Sequence, residues 1–525
     1  MRRPSLTLGA LLAGLTAVPL AGLLYLGMVF IGAPFLPFDL FDWLARILPG
    51  RIITLGIDSM VSLIVALGLG PIDVVAKALE QMTGLLLFLL GMSLMGLVIA
   101  WTIRRTRRSG IGVGLLAGLG VLILASALEA VRGRGIGSPV AFLWLAGLLL
   151  TWGVVLGRLL GPSRRENRKS ASPPTELSRR AILATTGVST AITLVAWSLG
   201  RFLESQQEAT GAGQPLRNLP RAGQAPVTGR SGKPAPGTRS AITSNADFYR
   251  IDIDTRPPVI DGDRWKLKVD GLFEKPTSLS LRQIMAYPPV TQTITQSCIS
   301  NPIGGDLIGT TRYTGTRLRA VLADLGLGPA AKALELHSAD GFFESVTMQD
   351  MLDSRTLLVY GMNGVSLPIS HGFPLRIYIP DHYGMKQPKW IVGMTAVDHE
   401  GPGYWEERGW SREARPHIIS IIDTVATQHS ESNRLPIGGI AWAGDRGIDR
   451  VELQVDEGPW ERAEILQPTL GPLAWVLWRF EWPLAKGRHT FRVRAVDGTG
   501  SVQIGIASGT FPNGATGYDS KTVIV

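Results

Sequence analysis

One boundary, near residue 200, limits what this chain can fold into. Before it, residues 1–200 are almost continuous apolar runs separated by arginine clusters; beyond residue 240 the pattern changes to alternating strands with mixed charge. The averages of 45% hydrophobic residues, 62 Gly and 34 Pro therefore mix two kinds of protein, and a single water-soluble core cannot hold both.

The N-terminal part reads as membrane helices. Leu6 to Phe38 carries no charged residue and exceeds the roughly 20 residues that cross a bilayer, so it spans with tilt or ends at Pro34 and Pro37. A weaker piece, Ser59 to Gly70, is short for a span and fits a re-entrant or interfacial segment. Met82–Thr102, Ile111–Leu128 and Pro139–Gly157 are clear spans, and a moderate run follows from Ala181 to Gly200. Arg2 and Arg3, the cluster at Arg104, Arg105, Arg107 and Arg108, and the cluster at Arg164, Arg165, Arg168 and Lys169 act as topology signals. Holding all three in the cytoplasm predicts five crossings, with the weak piece not crossing. The expectation is a multi-pass protein of the cell inner (cytoplasmic) membrane, with its soluble half on the periplasmic or extracytoplasmic side. Ser178-Arg179-Arg180 before the last run resembles a twin-arginine export signal, which carries folded proteins.

Several functions are disfavoured. No histidine precedes His337 and no Cys-x-x-Cys-His occurs, so no haem is predicted in this chain. No charge sits in the middle of a strong span, which argues against an ion pathway. Basic residues in the soluble half are scattered among acids, so no nucleic-acid partner is expected.

Residues 201–244 form a Gly/Pro-rich linker, with Glu204 to Ser240 too poor in branched apolar residues to build a core. From residue 245 strands alternate with brief helices: Trp265–Gly271, a short helix at Leu279–Ala286, and the strand Val290–Ser297 leading into Cys298. Cys298 is the only cysteine, so it is a buried bystander, an intermolecular link, or a reactive ligand. The first reading has even odds on composition alone. Its place at a strand end before Gly304-Gly305, which permit close backbone approach, suits a ligand. The stretch from His371 through Arg376 to Lys389-Trp390 interleaves cations and aromatics; it fits a phosphate-bearing cofactor or an ordinary solvated strand flank. After residue 415 alternating strands at Ser420, Gly439, Ile448, Trp475 and His489 look like a small antiparallel sandwich whose tryptophans fill its core.

Taken together, Thr295-Gln-Ser-Cys298-Ile-Ser-Asn301, Arg312-Tyr-Thr-Gly315-Thr-Arg-Leu318, Met362-Asn-Gly364, His371-Gly-Phe-Pro374-Leu-Arg376 and Lys389-Trp390 resemble the sulfite-oxidase family of molybdopterin enzymes. The likeness runs from Asn245 to the end of the sequence and leaves the membrane region outside it. It implies a multi-domain fold: an N-terminal all-α membrane bundle (1–200), the linker, an α+β sulfite-oxidase-type molybdopterin-binding domain (245–414), and a C-terminal immunoglobulin-like β-sandwich of the Mo-co dimerisation type (415–525).

The same resemblance implies Mo-molybdopterin as cofactor, with Cys298 as the catalytic thiolate on molybdenum and Asn245, Tyr249, Arg250, Arg312, Ser338, His371, Arg376 and Lys389 around the cofactor. The implied reaction is oxygen-atom transfer with a small-molecule donor or acceptor, coupled to an external electron carrier or membrane redox partner, in a homodimer formed through the C-terminal domain. Where sulfite oxidases follow Cys-x-x-Asn with arginine, this chain has Asn301-Pro302 and then Asp306, which disfavours a small dianion such as sulfite. A membrane-tethered binding, assembly or sensory protein using the same scaffold without cofactor is the alternative.

Overall fold

The computed structural model describes residues 4–106, 108–132, 137–161, scattered positions between 187 and 202, 232–429 and 433–525. Six helices come first: α1 (Leu6–Ile31), α2 (Leu36–Ile47), α3 (Gly50–Leu67), α4 (Ile72–Thr106), α5 (Gly110–Val131) and α6 (Pro139–Leu160). The chain divides into two compact units, one of Met1–Leu48 with Lys77–Ala209 and one of Pro49–Ala76 with Thr210–Val525.

In the first unit the helix limits follow from local chemistry. Ser5 and Ser138 cap α1 and α6 through Leu8 N–H and Ala141 N–H, and the chain leaves α1 at Gly32 in the left-handed region (φ 63°), ahead of the Pro34 and Pro37 break. Helices α5 and α6 approach through facing small residues. A Cβ on Gly114 would lie 2.0 Å from the Gly153 carbonyl oxygen, and one on Gly157 would lie 2.2 Å from that of Gly110. Such spacing lets backbones touch where the hydrophobic effect offers no drive between lipid-facing helices. Leu24, Leu145, Leu149, Trp152 and Leu156 fill the core. Arg132, just past α5, is buried with Asp39, Asp42 and Glu129, outside the apolar stretches of the spans.

Five helices, α1 and α3–α6, are long and apolar enough to cross a membrane by length and composition. Two expectations change here. The weak piece at Ser59–Gly70 is part of an 18-residue helix that begins at Gly50, because Arg51 and Asp58 interrupt an apolar run without interrupting a helix. Helix α4 starts at Ile72, ten residues before the apolar run from Met82, and its polar beginning carries a Lys77–Glu80 ion pair at 2.6 Å. Most of the Ala181–Gly200 run, the Arg179-Arg180 motif and linker residues 204–231 lie outside the described residues.

The second unit holds four sheets. The first has the order β2 (Thr277–Ser280), β1 (Lys266–Gly271), β10 (Ile391–Val397), β5 (Ala333–Ser338), β6 (Phe343–Thr347), with β1 and β10 parallel and the other pairs antiparallel. The second runs β3 (Pro289–Ser297), β4 (Ile308–Arg317), β7 (Leu357–Met362), β8 (Val365–Ser366), with β9 (Arg376–Tyr378) also on β7. Helices α7 (Leu281–Met285), started by a Ser280–Gln283 capping box, and α8 (Leu318–Asp324) contribute Ile284, Val321 and Leu322 to a core shared with Leu267, Leu336, Leu358, Ile377 and Met394.

Beyond residue 415, β11 (Ile419–Val425), β12 (Arg434–Trp442), β16 (Val476–Pro483) and β15 (Glu464–Ile465) form one antiparallel sheet. The other sheet is β14 (Trp460–Arg462), β13 (Ile448–Val455), β17 (Arg488–Asp497) and β18 (Asp519–Ile524). Ile422, Leu435, Ile437 and Trp478 from the first share a core with Val451, Leu453, Phe491 and Val493 from the second. Trp478 is buried in this core, while Trp475 and Trp442 are buried in a separate cluster with Ile308 of β4. Residues 232–244, assigned to the linker by composition, lie against these sheets: Arg239 pairs with Asp423 at 2.7 Å, and Trp475 Nε1–H donates to the Ala241 carbonyl at 3.0 Å.

Candidate functional site

Strands β3 and β4 stay in register up to the pair Ser297–Ile308, and the ten residues between them form the loop that presents Cys298. The loop is closed by its own polar groups. Cys298 N–H donates to the Leu307 carbonyl at 2.9 Å, and Leu307 N–H donates to Asn301 Oδ1 at 3.0 Å. Gly304 is left-handed (φ 69°), and a Cβ there would meet Asp519 Oδ1 at 2.6 Å, so glycine is required on both counts. Cys298 is buried with its Sγ 3.0 Å from Ser300 Oγ, and burial pushes its thiol above the ordinary range. Left to itself the sulfur stays protonated; a metal cation would be needed to hold it as thiolate.

Around this loop the structure brings together most of the residues expected from sequence. Tyr249 is partly buried, stacked on Phe248 at 5.4 Å; desolvation and the neighbouring Cys298 push its phenol well up. His371 donates Nε2–H to the Asn245 carbonyl at 2.9 Å; burial, then the Lys389 charge, hold it down at about 3, so it is a neutral imidazole. Arg376, on β9, donates to the His371 carbonyl at 3.2 Å and to Gln296 Oε1 at 3.1 Å, and lies over the Tyr313 ring. Lys389 and Arg250 both pair with the buried carboxylate of Asp252. Burial lowers Lys389 to about 8 despite Asp252, with Arg376 and Arg250 adding to the effect. Ser338, at the end of β5, is buried opposite Ile391.

Arg312 is tied in differently. Its backbone N–H donates to Asn363 Oδ1 at 3.0 Å, and Asn363, at φ 50°, passes the link on by donating to Asn245 Oδ1 at 2.8 Å. The contacts that join Arg312 to this cluster therefore run through its main chain.

Four contributors were missed from sequence. Gln296 receives hydrogen bonds from both Arg376 and Tyr313, the latter at 3.2 Å; it sits two residues before Cys298, so strand alternation could have put it on the same face. Asp252, two residues after Arg250, is open to the same argument in an extended segment. Tyr313 and Asn363 lie inside stretches that carry the family likeness, but their roles depend on pairings made across the fold. Gly384 adds a close approach: a Cβ there would lie 2.8 Å from the Tyr249 hydroxyl and 3.0 Å from Gln296 Nε2.

A second buried lysine stands nearby in sequence. Lys386 donates to Glu344 at 2.8 Å and to the Ser345 carbonyl at 3.2 Å, and also pairs with Glu406. These carboxylates hold its ammonium above the usual lysine value in spite of burial.

The donor set suits an anionic, polar cofactor beside a soft metal. Arg250 Nη2, Arg376 Nε and Ser338 Oγ are buried without a hydrogen-bond partner among the described residues. Buried donors of that kind each cost free energy unless a ligand satisfies them. A pterin and its phosphate supply many acceptors, and a thiolate is the matching protein donor for a metal already bound through sulfur. Among the described residues no group of three or more His, Cys, Asp or Glu side chains could hold a metal ion alone, so the cofactor would have to bring most of the ligands.

Comparison with known proteins agrees with this fit. Residues 254–405 match the oxidoreductase molybdopterin binding domain, and residues 414–507 match the Mo-co oxidoreductase dimerisation domain. Mitochondrial sulfite oxidase of Rattus norvegicus is 27% identical over 318 residues, covering 51% of this chain and 58% of that protein. The uncharacterized oxidoreductase YuiH of Bacillus subtilis (strain 168) is 28% identical over 181 residues, 34% of this chain and 88% of that one. A putative protein-methionine-sulfoxide reductase subunit, YedZ1 of Azospira oryzae, is 28% identical over 172 residues, 33% of this chain and 64% of that one. The chain thus spans only 58% of the length of the rat protein. Residues 254–405 and 414–507 thus carry the two domains of a molybdopterin-dependent oxidoreductase, and the chain is similar to the sulfite-oxidase family.

Proposed function

We propose that this protein is a membrane-anchored molybdopterin oxidoreductase whose soluble half faces the extracytoplasmic side. It moves an oxygen atom to or from a small molecule and exchanges electrons with an external carrier or membrane redox partner. The observation that carries this reading is the pair of buried donors without partners among the described residues, Arg250 Nη2 and Arg376 Nε, in the network of Asp252, Lys389 and Tyr249 that borders the one buried cysteine. When bound, the cofactor supplies the metal centre for two-electron oxygen-atom chemistry.

The chain's own residues hold, orient and screen. Cys298 is the metal ligand. Arg376 and Lys389 neutralise the phosphate, with Arg250 beside them. Asn245, Ser338 and neutral His371 orient the pterin, and Arg312 supports Asn245 through Asn363. Tyr249 lies partly buried near Cys298 with its proton retained, so it can donate a hydrogen bond to a substrate oxygen. The segment 299–307 carries no cation, and Asp306 is its one charge. That favours a neutral oxygen-atom donor or acceptor, such as a sulfoxide, over a dianion. The name of the Azospira oryzae relative points the same way.

The arginine clusters at 104–108 and 164–169 support the extracytoplasmic side for the soluble half. Residues 245–414 form the cofactor domain, and the facing sheets beyond 415 are read as an immunoglobulin-like sandwich that joins two copies, in keeping with the dimerisation-domain match.

Metal analysis and molybdenum paramagnetic resonance of the full chain test the proposal. Wild type should retain molybdenum, and Cys298→Ser should change the spectrum and abolish turnover. An unchanged metal content and spectrum in the variant would overturn the ligand assignment.

A further inference from the structure

Helix α3 has the length and hydropathy of a membrane span, yet it belongs to the same compact unit as the molybdopterin domain. Its contacts explain why. At its start, a Cβ on Gly50 would lie 2.6 Å from Arg408 Cα, so the helix backbone rests against that segment. In its middle, Thr510 Oγ1–H donates to Asp58 Oδ1 at 3.5 Å. Beyond its end, Asp306 Oδ2 accepts the free N–H of Ile72 at 3.2 Å, and Asp73 Oδ2 accepts Arg250 N–H at 2.8 Å.

These anchors decide between crossing and lying flat. Eighteen helical residues extend about 27 Å at 1.5 Å each. Four residues, or five residue steps, separate Leu67 from Ile72, and even fully extended they reach only about 17 Å. If α3 left the domain surface at Gly50 and crossed the bilayer, its far end would lie too far away for Ile72 and Asp73 to return to Asp306 and Arg250. With the start, the middle and the exit all held by one folded unit, the helix runs along that unit's surface.

The face turned away from the domain is mostly apolar, with Ser59 and Ser62 exposed among its larger side chains. Ile52, Leu55, Leu63, Val65 and Leu67 are each at least half exposed, while Thr54 and Ile64 are buried. A soluble surface rarely leaves such a stripe in water. The same chain supplies four more helices fit to cross a bilayer, so a lipid surface is within reach of this helix, and Arg51 stands exposed at its start where lipid phosphates would lie.

We propose that α3 is a membrane-surface helix, clamped to the molybdopterin unit on one face and bedded in the lipid headgroup region on the other. It holds the Cys298 loop, through Asp306, and the Tyr249–Arg250 segment, through Asp73, against the membrane interface. A substrate or electron carrier that partitions into that interface would then reach the site without first dissolving in bulk water.

Single cysteines placed in the full-length protein in membranes test this, since native Cys298 is buried. Arg51→Cys and Leu69→Cys flank the helix, and Glu457→Cys marks the soluble unit. A membrane-impermeant maleimide should label all three from the same side. Labelling of Arg51→Cys and Leu69→Cys from opposite sides would overturn the proposal. Spin labels on Leu55→Cys and Leu63→Cys should collide more with dissolved oxygen than with a water-soluble nickel chelate. Equal access to the chelate as at Glu457→Cys, or protection from both reagents by a protein partner or second copy, would remove the lipid as occupant. Protease resistance of the soluble unit verifies folding of each variant, and no readout depends on molybdenum or turnover.

Discussion

Lys386 and Lys389 stand three residues apart, and both are largely buried, but their surroundings differ in sign. Lys386 has two carboxylates, Glu344 and Glu406, and its ammonium is held more firmly than an ordinary lysine. Lys389 shares the single carboxylate of Asp252 with Arg250, has Arg376 nearby, and is pushed down to about 8, first by burial. The first cluster pairs its ammonium with two carboxylates, although Glu344 Oε2 and Ser345 Oγ are buried without a hydrogen-bond partner among the described residues. The second sets Lys389, Arg250 and Arg376 about Asp252, with the buried Asp340 also within reach of Lys389, and it leaves Arg250 Nη2 and Arg376 Nε buried without partners among the described residues, N–H groups that an anionic ligand would satisfy.

That difference can be broken by mutation. Lys386→Met would strand two buried glutamates and should cost about 3–5 kcal/mol of stability, read as a large fall in the unfolding midpoint of the purified protein. Lys389→Met should leave the cofactor-free protein much nearer to wild type while cofactor retention falls. If Lys389→Met destabilises as severely as Lys386→Met, or keeps its full complement of molybdenum, the contrast fails. Asp252→Asn should lower Lys389 further, since the carboxylate is what raises it, and should destabilise the cofactor-free protein more than the loaded one.

The two clusters should also respond oppositely to pH. His371 is held at about 3, below its ordinary 6.5, so it must gain a proton when the cofactor-free protein unfolds in mild acid. Its contribution is present above about 6.5 and is lost as pH falls toward 3. Glu344 is raised from 4.5 to about 8, chiefly by burial, with Glu406 adding and Lys386 opposing. Its contribution is present below about 4.5 and is lost as pH rises through 8. Unfolding midpoints measured against pH should show a flatter acid limb in His371→Asn and a flatter slope between about pH 5 and 8 in Glu344→Gln. Changes of the same sign in both would contradict the comparison. The smallest effect is expected from Ser338→Ala, which should leave the cofactor-free protein almost unchanged and weaken cofactor binding by about 1 kcal/mol, the worth of one hydrogen bond.

The cofactor cluster was legible in sequence where its residues lie in contiguous motifs. Cys298, His371, Arg376 and Lys389 each sit in a short stretch that resembles the family's motifs, whereas their residue types alone fitted a core cysteine or a solvated strand flank as well. What escaped was whatever depends on pairing across the fold. Asn363 links Asn245 to the Arg312 main chain only because β4 and β7 lie side by side, and Arg312 itself enters through its backbone. The ionic balance that separates Lys386 from Lys389 was also hidden, since Glu344, Glu406 and Asp252 reach them from distant segments. In the membrane part, hydropathy found α4, α5 and α6 but truncated α3, because a helix with one face on protein can carry Arg51 and Asp58 in mid-pattern. The α5–α6 glycine contacts were present as letters, yet their use as a close interface appeared only in three dimensions.

Asp519 lies against Gly304 in the cysteine loop, and its other oxygen accepts Ile422 N–H at 2.8 Å, while Thr295 on β3 exchanges hydrogen bonds with Leu473 and Trp475. The strand and loop that present the thiol are therefore braced by segments made long after them on the ribosome. The pocket cannot take its final shape until synthesis has passed Asp519. Cofactor loading is thereby placed after translation of both soluble domains, and a nascent chain stalled earlier would offer the cofactor no finished seat.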